Sequence, residues 1–476
     1  MLPQLWSAHE YHANLLAPVG EVVIGMERTG VPVDREVLQD IDTRMTARAE
    51  ELRRELHDWC PRDINWASWQ QLAEWFHGTW QDEAEGEEGT MYGCSRGLGM
   101  EPSPYCKKGE VPDDKISTDD RALEWLAGHN PAHRAPIAAL RSLRQCERMG
   151  RYARDWLEKA LPHPDGTWRL HPSFGLATDH DTRPGAVTGR FGVKNPPLNQ
   201  VPRNPAKDPA GMRRAFVPPP GKRLIVIDYA QLEVVIIAHL IATLFGEDDP
   251  LVQRVRANKD VHGPLAHYIF GELMGDEAVK AIDPEAMKKH RPDLRDLGKV
   301  AIYRANYGGN TALGYAYSTF LPDGNPLGEA RGQLLVDGLA GFYPGVLKYQ
   351  GFIRQFIERA AYIVTLFGRW QPLPNAKSTQ KSWRNRAWRQ ALNYPMQGGG
   401  QEIMALALVS IAKDPELKAM GFELSLVVHD EIVGWAPEDF ADTCRTIVER
   451  HMTSAVRLLC PLRAEGHTGA NWKEAK

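Results

Sequence analysis

Two β-rich apolar runs stand out along the chain, and each is broken by acid. The first, Leu224-Ile225-Val226-Ile227, runs into Asp228-Tyr229-Ala230-Gln231-Leu232-Glu233. Its unbroken apolar character predicts a buried strand that stops at Asp228, and residues 232–240 are apolar enough to form a helix packed on it. The second, Leu424-Ser425-Leu426-Val427-Val428, is interrupted by His429-Asp430-Glu431 and resumes at Ile432-Val433. That pattern predicts a β-hairpin with a charged tip. Taken alone, Asp228 reads more readily as the cap of the following helix, and acids are common at turn tips. The second break, however, holds no Gly or Asn to drive a tight turn. Two strand-end carboxylates far apart in sequence can meet at one sheet edge and hold two Mg²⁺ ions, which need only one or two carboxylates plus substrate phosphates.

Helical periodicity fills most of the remainder. Residues 1–80 read as helical, with a break at Gly30-Val31-Pro32, whereas residues 81–114 are poor in apolar positions and rich in Gly and Glu, predicting an exposed loop or insertion. Helical pattern returns over 120–160. There Arg141, Arg144, Arg148, Arg151 and Arg154 recur every three or four residues with Glu147 as the only acid among them, making one face a basic stripe. Such a stripe is either a solvated face or a grip on a phosphate backbone. Further on, Arg295, Lys299 and Tyr303 fall at i, i+4 and i+8, along one helix face. Two cations one turn apart followed by an aromatic suit a nucleotide: the cations neutralise phosphate oxygens and the ring stacks. Arg389, Asn393 and Gln397 also share a face, although Pro395 is expected to kink or end that helix.

Composition narrows the function classes. With 57 Lys and Arg against 61 Asp and Glu, the formal net charge is −4, so nucleic-acid contact must come from local patches and not from a global field. The length suggests about three domain-sized units. Six scattered cysteines without a CxxC pair fit a reducing cytosol, and a cytoplasmic location is expected. Cys94 and Cys106 lie near His77 in the Gly/Glu-rich region, but their irregular spacing argues against a zinc site. Neither a signal peptide nor an apolar run long enough to cross a bilayer is seen, so no membrane partner is expected.

Asp-Tyr-Ala-Gln-Leu-Glu at 228–233 resembles motif A of the family A DNA polymerases, the group of bacterial DNA polymerase I and podophage replicative enzymes. Val-His-Asp-Glu at 428–431 resembles their motif C. Between and around them, Thr188-Gly189-Arg190 resembles the loop that touches the primer strand, Asp260-Val261-His262 the family's Asp-Ile-His, and the Arg295-Lys299-Tyr303-Tyr307 series its fingers helix. The fold so implied is α+β: a right-hand polymerase with an antiparallel-sheet palm, helical fingers and helical thumb. The expected divisions are 1–175 (N-terminal segment and thumb), 176–240 (palm), 241–372 (fingers) and 373–476 (palm).

By the same resemblance Asp228 and Asp430 hold two Mg²⁺, for which Mn²⁺ can stand in, with the Tyr229 carbonyl as a further ligand. One ion lowers the pKa of the primer 3′-hydroxyl and the other steadies the triphosphate. Lys299 binds the triphosphate and protonates the leaving pyrophosphate, His262 and Arg295 also bind the nucleotide, and Glu431 orients a water or the primer terminus. Gln231 and Glu233 line the sugar side, Glu233 as the steric gate that favours dNTP over NTP. Tyr303 goes with dideoxynucleotide acceptance. Arg190, Tyr307, Arg389, Asn393, Gln397 and His429 contact primer-template DNA, and the stripe Arg141, Arg144, Arg148 and Arg151 grips the duplex. Val235, Val427 and Arg304 depart from the family pattern, which bears on efficiency and fidelity more than on reaction type. The chain begins where the family's polymerase domain begins and shows no exonuclease motifs upstream, so a monomeric polymerase without its own proofreading is expected. An exonuclease or processivity factor, if used, would come from another chain. Two alternatives stand beside this one: a single-subunit RNA polymerase, and an accessory protein that binds primer-template without extending it.

Overall fold

The computed structural model describes residues 5–60, 63–77, 98–100, 117–176, 188–203, 208–319 and 327–476. The expected insertion at 81–114 and the cysteines Cys94 and Cys106 lie outside the described residues. Helix α1 (Ala17–Thr29) is followed by Gly30 at φ 70°, a conformation that favours glycine, and by the short strand Val31–Val33, which pairs antiparallel with Trp168–Leu170. The first 80 residues are therefore not wholly helical: the break that sequence reading treated as a helix stop is a strand. Helix α2 (Arg35–Trp59) starts at Asp34, whose carboxylate accepts from the amides of Glu36 and Val37. Its stripe Leu38, Ile41, Met45, Ala49, Leu52 and Leu56 is buried, at the three-and-four spacing of one helix face. After α3 (Asp120–His129), α4 (Arg134–Lys159) lies along α2, and Arg53–Glu147 (2.6 Å) and Arg154–Asp42 (2.5 Å) bridge the pair. α2 and α4 pack together as one long helix pair.

Strand β1 (Lys222–Tyr229) leads into α5 (Leu232–Phe245), which is buried from Leu232 to Ala242. Helices α6 (His262–His267) and α7 (Pro292–Asn306) pack against each other. The chain then enters α8 (Lys381–Lys413), β2 (Glu423–Val428), β3 (Glu431–Pro437), α9 (Ala441–Ser454) and β4 (Ala464–Gly469). The four strands make one antiparallel sheet in the order β4-β1-β3-β2, so the first apolar run lies at its centre beside the returning arm of the second. Leu224 to Ile227 are all buried, so both faces of this central strand are covered, and the stretch reads as continuous apolar sequence. α9 packs on the sheet and on α8, while α1 packs on β2 and on α8.

Pro395 neither ends nor divides α8, contrary to expectation. Its ring removes one helical hydrogen bond, to the Ala391 carbonyl, which costs about 3 kcal/mol. The surrounding turns recover this through packing, because Ala391, Leu392, Tyr394, Met396 and Gly398 to Gly400 are all buried. Gly398 permits part of that contact: a Cβ there would stand 2.5 Å from Thr365 Cγ2, in the hairpin Tyr362–Pro372 lying on the helix. Among the described residues, no helix is long and apolar enough to cross a membrane.

Candidate active site

A cleft of about 730 Å³ opens at the carboxyl end of β1 and is lined from both apolar runs. Asp228 is the penultimate residue of β1, and Asp430 lies in the two-residue turn between β2 and β3. The turn is made possible by His429, which takes φ 58° where a glycine or asparagine would be usual. Tyr229 N–H donates to the Asp430 carbonyl at 3.0 Å, tying the two carboxylate-bearing segments together. Both carboxyls are held above the ordinary carboxylate range. Burial is the main cause for each; the charge of Asp430 adds to the rise at Asp228. Asp228 Oδ2 pairs with Arg203 at 2.5 Å, but its Oδ1 is buried without a partner. A desolvated pair of mutually repelling carboxylates with an orphaned oxygen is a donor set that divalent cations fit. Among the described residues no third His, Cys, Asp or Glu converges with them as a ligand cluster.

The opposite wall is α7. Arg295, Lys299 and Tyr303 all line the cleft, as their spacing requires. Lys299 Nζ stands 5.7 Å from the centre of the Tyr303 ring, and burial holds the Tyr303 phenol up at about 12. Gly298 lets α7 approach α6: a Cβ there would meet the His262 carbonyl oxygen at 2.4 Å. His262 itself is buried, faces the cleft, and has neither ring nitrogen hydrogen-bonded; burial, with Arg295 next, holds it neutral with a pKa of about 4. Arg295 is not the free cation that sequence reading implied. Its Nε and Nη2 donate to Asp260 at 2.7 and 3.0 Å, and the same carboxylate caps α6 through the amides of His262 and Gly263. Asp260 thus orients Arg295 and α6 together, a role carried by two adjoining motifs and visible only once they meet in space.

The sugar-side residues form a second network. Arg190 Nη2 donates to Glu233 Oε1 at 2.8 Å, and the Tyr307 hydroxyl is hydrogen-bonded to both Glu233 and Gln397. Tyr307, just past the end of α7, thereby links the fingers to Glu233 of α5 and Gln397 of α8. Gln231 caps α5 in a left-handed conformation and lines the cleft with His429. Arg389 is exposed on the same face of α8 as the half-buried Asn393 and Gln397.

Two assignments change. Glu431 is placed opposite Asp228 in the sheet register, but it is only 3% exposed and does not line the cleft. Its carboxylate accepts from Trp472 Nε1 at 2.6 Å, pairs with Lys476, and lies 3.5 Å from Arg213 Nη1. It has a structural buried knot around it and no open path to a water or primer terminus. The basic stripe of α4 is also divided. Arg141 pairs with Asp120 and Glu124, and Arg144 donates to the Thr118 carbonyl, because α3 packs against that end of α4. Arg148 and Arg151 remain exposed. Sequence reading missed Arg203 and Lys476, both cleft-lining cations; Arg203 lies between the Thr188-Gly189-Arg190 segment and β1, while Lys476 carried no local signal.

Comparison with solved structures gives the class. Over 98% of its length the chain matches 71% of the POL domain of Pol1 from M. smegmatis, solved in complex with DNA primer-template and dNTP, at a TM-score of 0.79 and 22% identity. This is the right-hand polymerase fold. The chain belongs to DNA polymerase family A, whose model matches residues 35–474. It is 27% identical over 470 residues to DNA polymerase I of Chloroflexus aurantiacus, covering 98% of this chain and 43% of that protein. With the thermostable DNA polymerase I of Thermus filiformis the figures are 28% over 469 residues, 96% and 48%. The chain therefore spans less than half the length of these relatives.

Proposed function

We propose that the chain is a DNA-directed DNA polymerase that adds dNTPs to a primer 3′-hydroxyl. The observation that carries this is the pairing of Asp228 and Asp430 at one cleft edge, with an unpartnered Asp228 oxygen, opposite the Arg295-Lys299-Tyr303 face of α7. Asp228, Asp430 and the Tyr229 carbonyl would hold two divalent ions, Mg²⁺ or Mn²⁺, whose chemistry when bound is to acidify the primer hydroxyl and neutralise triphosphate charge. Lys299 and Arg295 bind the triphosphate oxygens from the fingers side, and Lys299 delivers a proton to the pyrophosphate as the bond from the α-phosphorus to its bridging oxygen breaks. Tyr303 stacks on the nucleotide, and its ring lies 6.0 Å from that of His262, so the neutral imidazole closes the triphosphate side of the pocket without adding charge. Glu233, fixed by Arg190, holds a carboxylate against the sugar and rejects a 2′-hydroxyl. Asn393, Gln397 and Arg389 follow the duplex beside the site, Asn and Gln suiting the acceptors that every minor groove presents.

Primer extension on a DNA template with Mg²⁺, dNTPs or NTPs, beside Asp228→Asn and Asp430→Asn, tests the reading. Full-length product from dNTPs alone is expected, with each variant slower by at least roughly a hundredfold. A second readout is Mn²⁺ binding by electron paramagnetic resonance, expected to weaken in both variants. Extension from NTPs would place the enzyme with RNA polymerases, and tight primer-template binding without extension would make it an accessory protein.

A further inference from the structure

The surface that continues from Asn393 toward the start of α8 has no role in the chemistry described above. From residue 359 to residue 401 the chain carries seven Lys or Arg and no Asp or Glu, within a protein of net charge −4. Along α8 the accessible positions form one stripe. Gln397 and Asn393 are half-buried, and Gln390, Arg389, Arg386 and Trp383 are exposed toward the helix start, while Ala387, Ala391 and Leu392 face the core. Trp383 is 42% exposed. Among the described residues neither Arg386 nor Arg389 makes an ion pair. A large aromatic ring left in water one turn before two unpaired guanidiniums, at the end of the stripe that starts from Asn393 and Gln397, is neither core packing nor a solvated charge run.

We propose that Trp383 and Arg386 form a stacking platform for unpaired template nucleotides ahead of the site of synthesis. This rests on the polymerase reading above and extends it to a part of the substrate outside the duplex. Bases within a duplex already stack on both faces, so an exposed indole gains little from them. Unpaired bases offer a free face to an aromatic side chain, and stacking of this kind tolerates any sequence, as a template platform must. Arg386, one turn away, neutralises the accompanying phosphate. The distance is also suitable. From Arg389, which lies along the duplex, to Trp383 six helical residues span about 9 Å, or about three stacked nucleotides at about 3.4 Å each.

The test is binding, by fluorescence anisotropy without divalent metal, of DNA hairpins that are blunt or carry 5′ template extensions of two, six or ten nucleotides. For the wild-type chain, affinity should rise between the two- and six-nucleotide extensions and then level off. Trp383→Ala should lose that gain, roughly 5- to 20-fold on the six-nucleotide hairpin, and bind the blunt hairpin as before. Trp383→Phe should keep most of it. Arg386→Gln should lower the salt slope on the extended hairpin by about one. Equal weakening on blunt and extended hairpins, or no weakening on either, would overturn the platform while leaving the polymerase reading intact; the latter result would assign the surface to a partner other than template. Failure of the wild-type chain to bind any hairpin would overturn both.

Discussion

Glu402 offers a quantitative check on the packing beneath the loop Thr188-Gly189-Arg190. It lies on α8, 1% exposed, and accepts hydrogen bonds from the Thr365 hydroxyl, the Tyr11 hydroxyl and the Phe367 amide (3.3 Å). The charged and titratable groups around it are Arg369 on the hairpin, Tyr11 on the N-terminal segment and Tyr394 about two α8 turns away. Burial dominates and holds the carboxyl at about 7 against an ordinary 4.5. Between those pH values the folded chain keeps a proton that the unfolded chain has released. The protonated form's contribution to stability is thus complete below about pH 4.5 and lost as pH rises through about 7. A rise of that size corresponds to about 3 kcal/mol. Glu402→Gln keeps the shape and stays neutral, so it should match the wild type near pH 5 and exceed it by up to about 3 kcal/mol at pH 8. Urea unfolding of both proteins at each pH reads this directly. A stability difference that stays constant between pH 5 and pH 8 would refute the reasoning, because it would mean that Glu402 does not change charge in the folded chain over that interval. The consequence reaches the active site: Arg369 Nη1 occupies the space a Gly189 side chain would need, so the Thr365–Arg369 turn that Glu402 anchors also backs the loop carrying Arg190.

Three further outcomes follow from particular contacts. Gly298→Ala should force α7 off the His262 carbonyl, which a Cβ would approach to 2.4 Å; steady-state kinetics should show a raised KM for dNTP or a kcat lower by up to roughly 10²-fold for a displacement of about 1 Å, with primer-template affinity unchanged. Arg203→Ala removes the cation on Asp228 Oδ2; because Arg203 is 61% exposed the pair is worth only about 1 kcal/mol, so Mn²⁺ affinity measured by resonance titration should rise roughly fivefold, and an unchanged or weaker affinity would show that Arg203 does not compete with metal. Trp472→Phe leaves Glu431 buried without its 2.6 Å donor and should lower unfolding free energy by about 1–3 kcal/mol, with little change in extension rate if Glu431 is structural.

The parts legible in sequence were those set by local period. The strand ending at Asp228, the hairpin at Asp430 and the Arg295-Lys299-Tyr303 face each rest on spacing within one element, and the structure assembles them as that spacing requires. What sequence did not disclose is what one element does to another. The five arginines of α4 from Arg141 to Arg154 form a uniform stripe on a helical wheel, yet Asp120 and Glu124 of α3 claim one end of it. Pro395 should break α8 by backbone chemistry alone, but burial of Ala391, Leu392, Tyr394, Met396 and Gly398 around it holds the helix together. Glu431 adjoins Asp430 in sequence, and that proximity suggested a shared role. One residue into β3, however, its side chain is committed to Trp472, Lys476 and Arg213, which arrive from segments that no motif connects to it. The same distinction explains Arg295 and Asp260, whose motifs were each recognised as nucleotide-binding although their first contact is with each other. Charge in this site is therefore largely pre-paired before any substrate enters: Arg295 with Asp260, Arg190 with Glu233, Arg203 with Asp228. Of those three pairs only Arg203–Asp228 joins a highly exposed cation to a carboxylate with an unpartnered oxygen, so it is the pair that an incoming divalent ion can replace at least cost, while the two less exposed pairs keep the nucleotide pocket in shape.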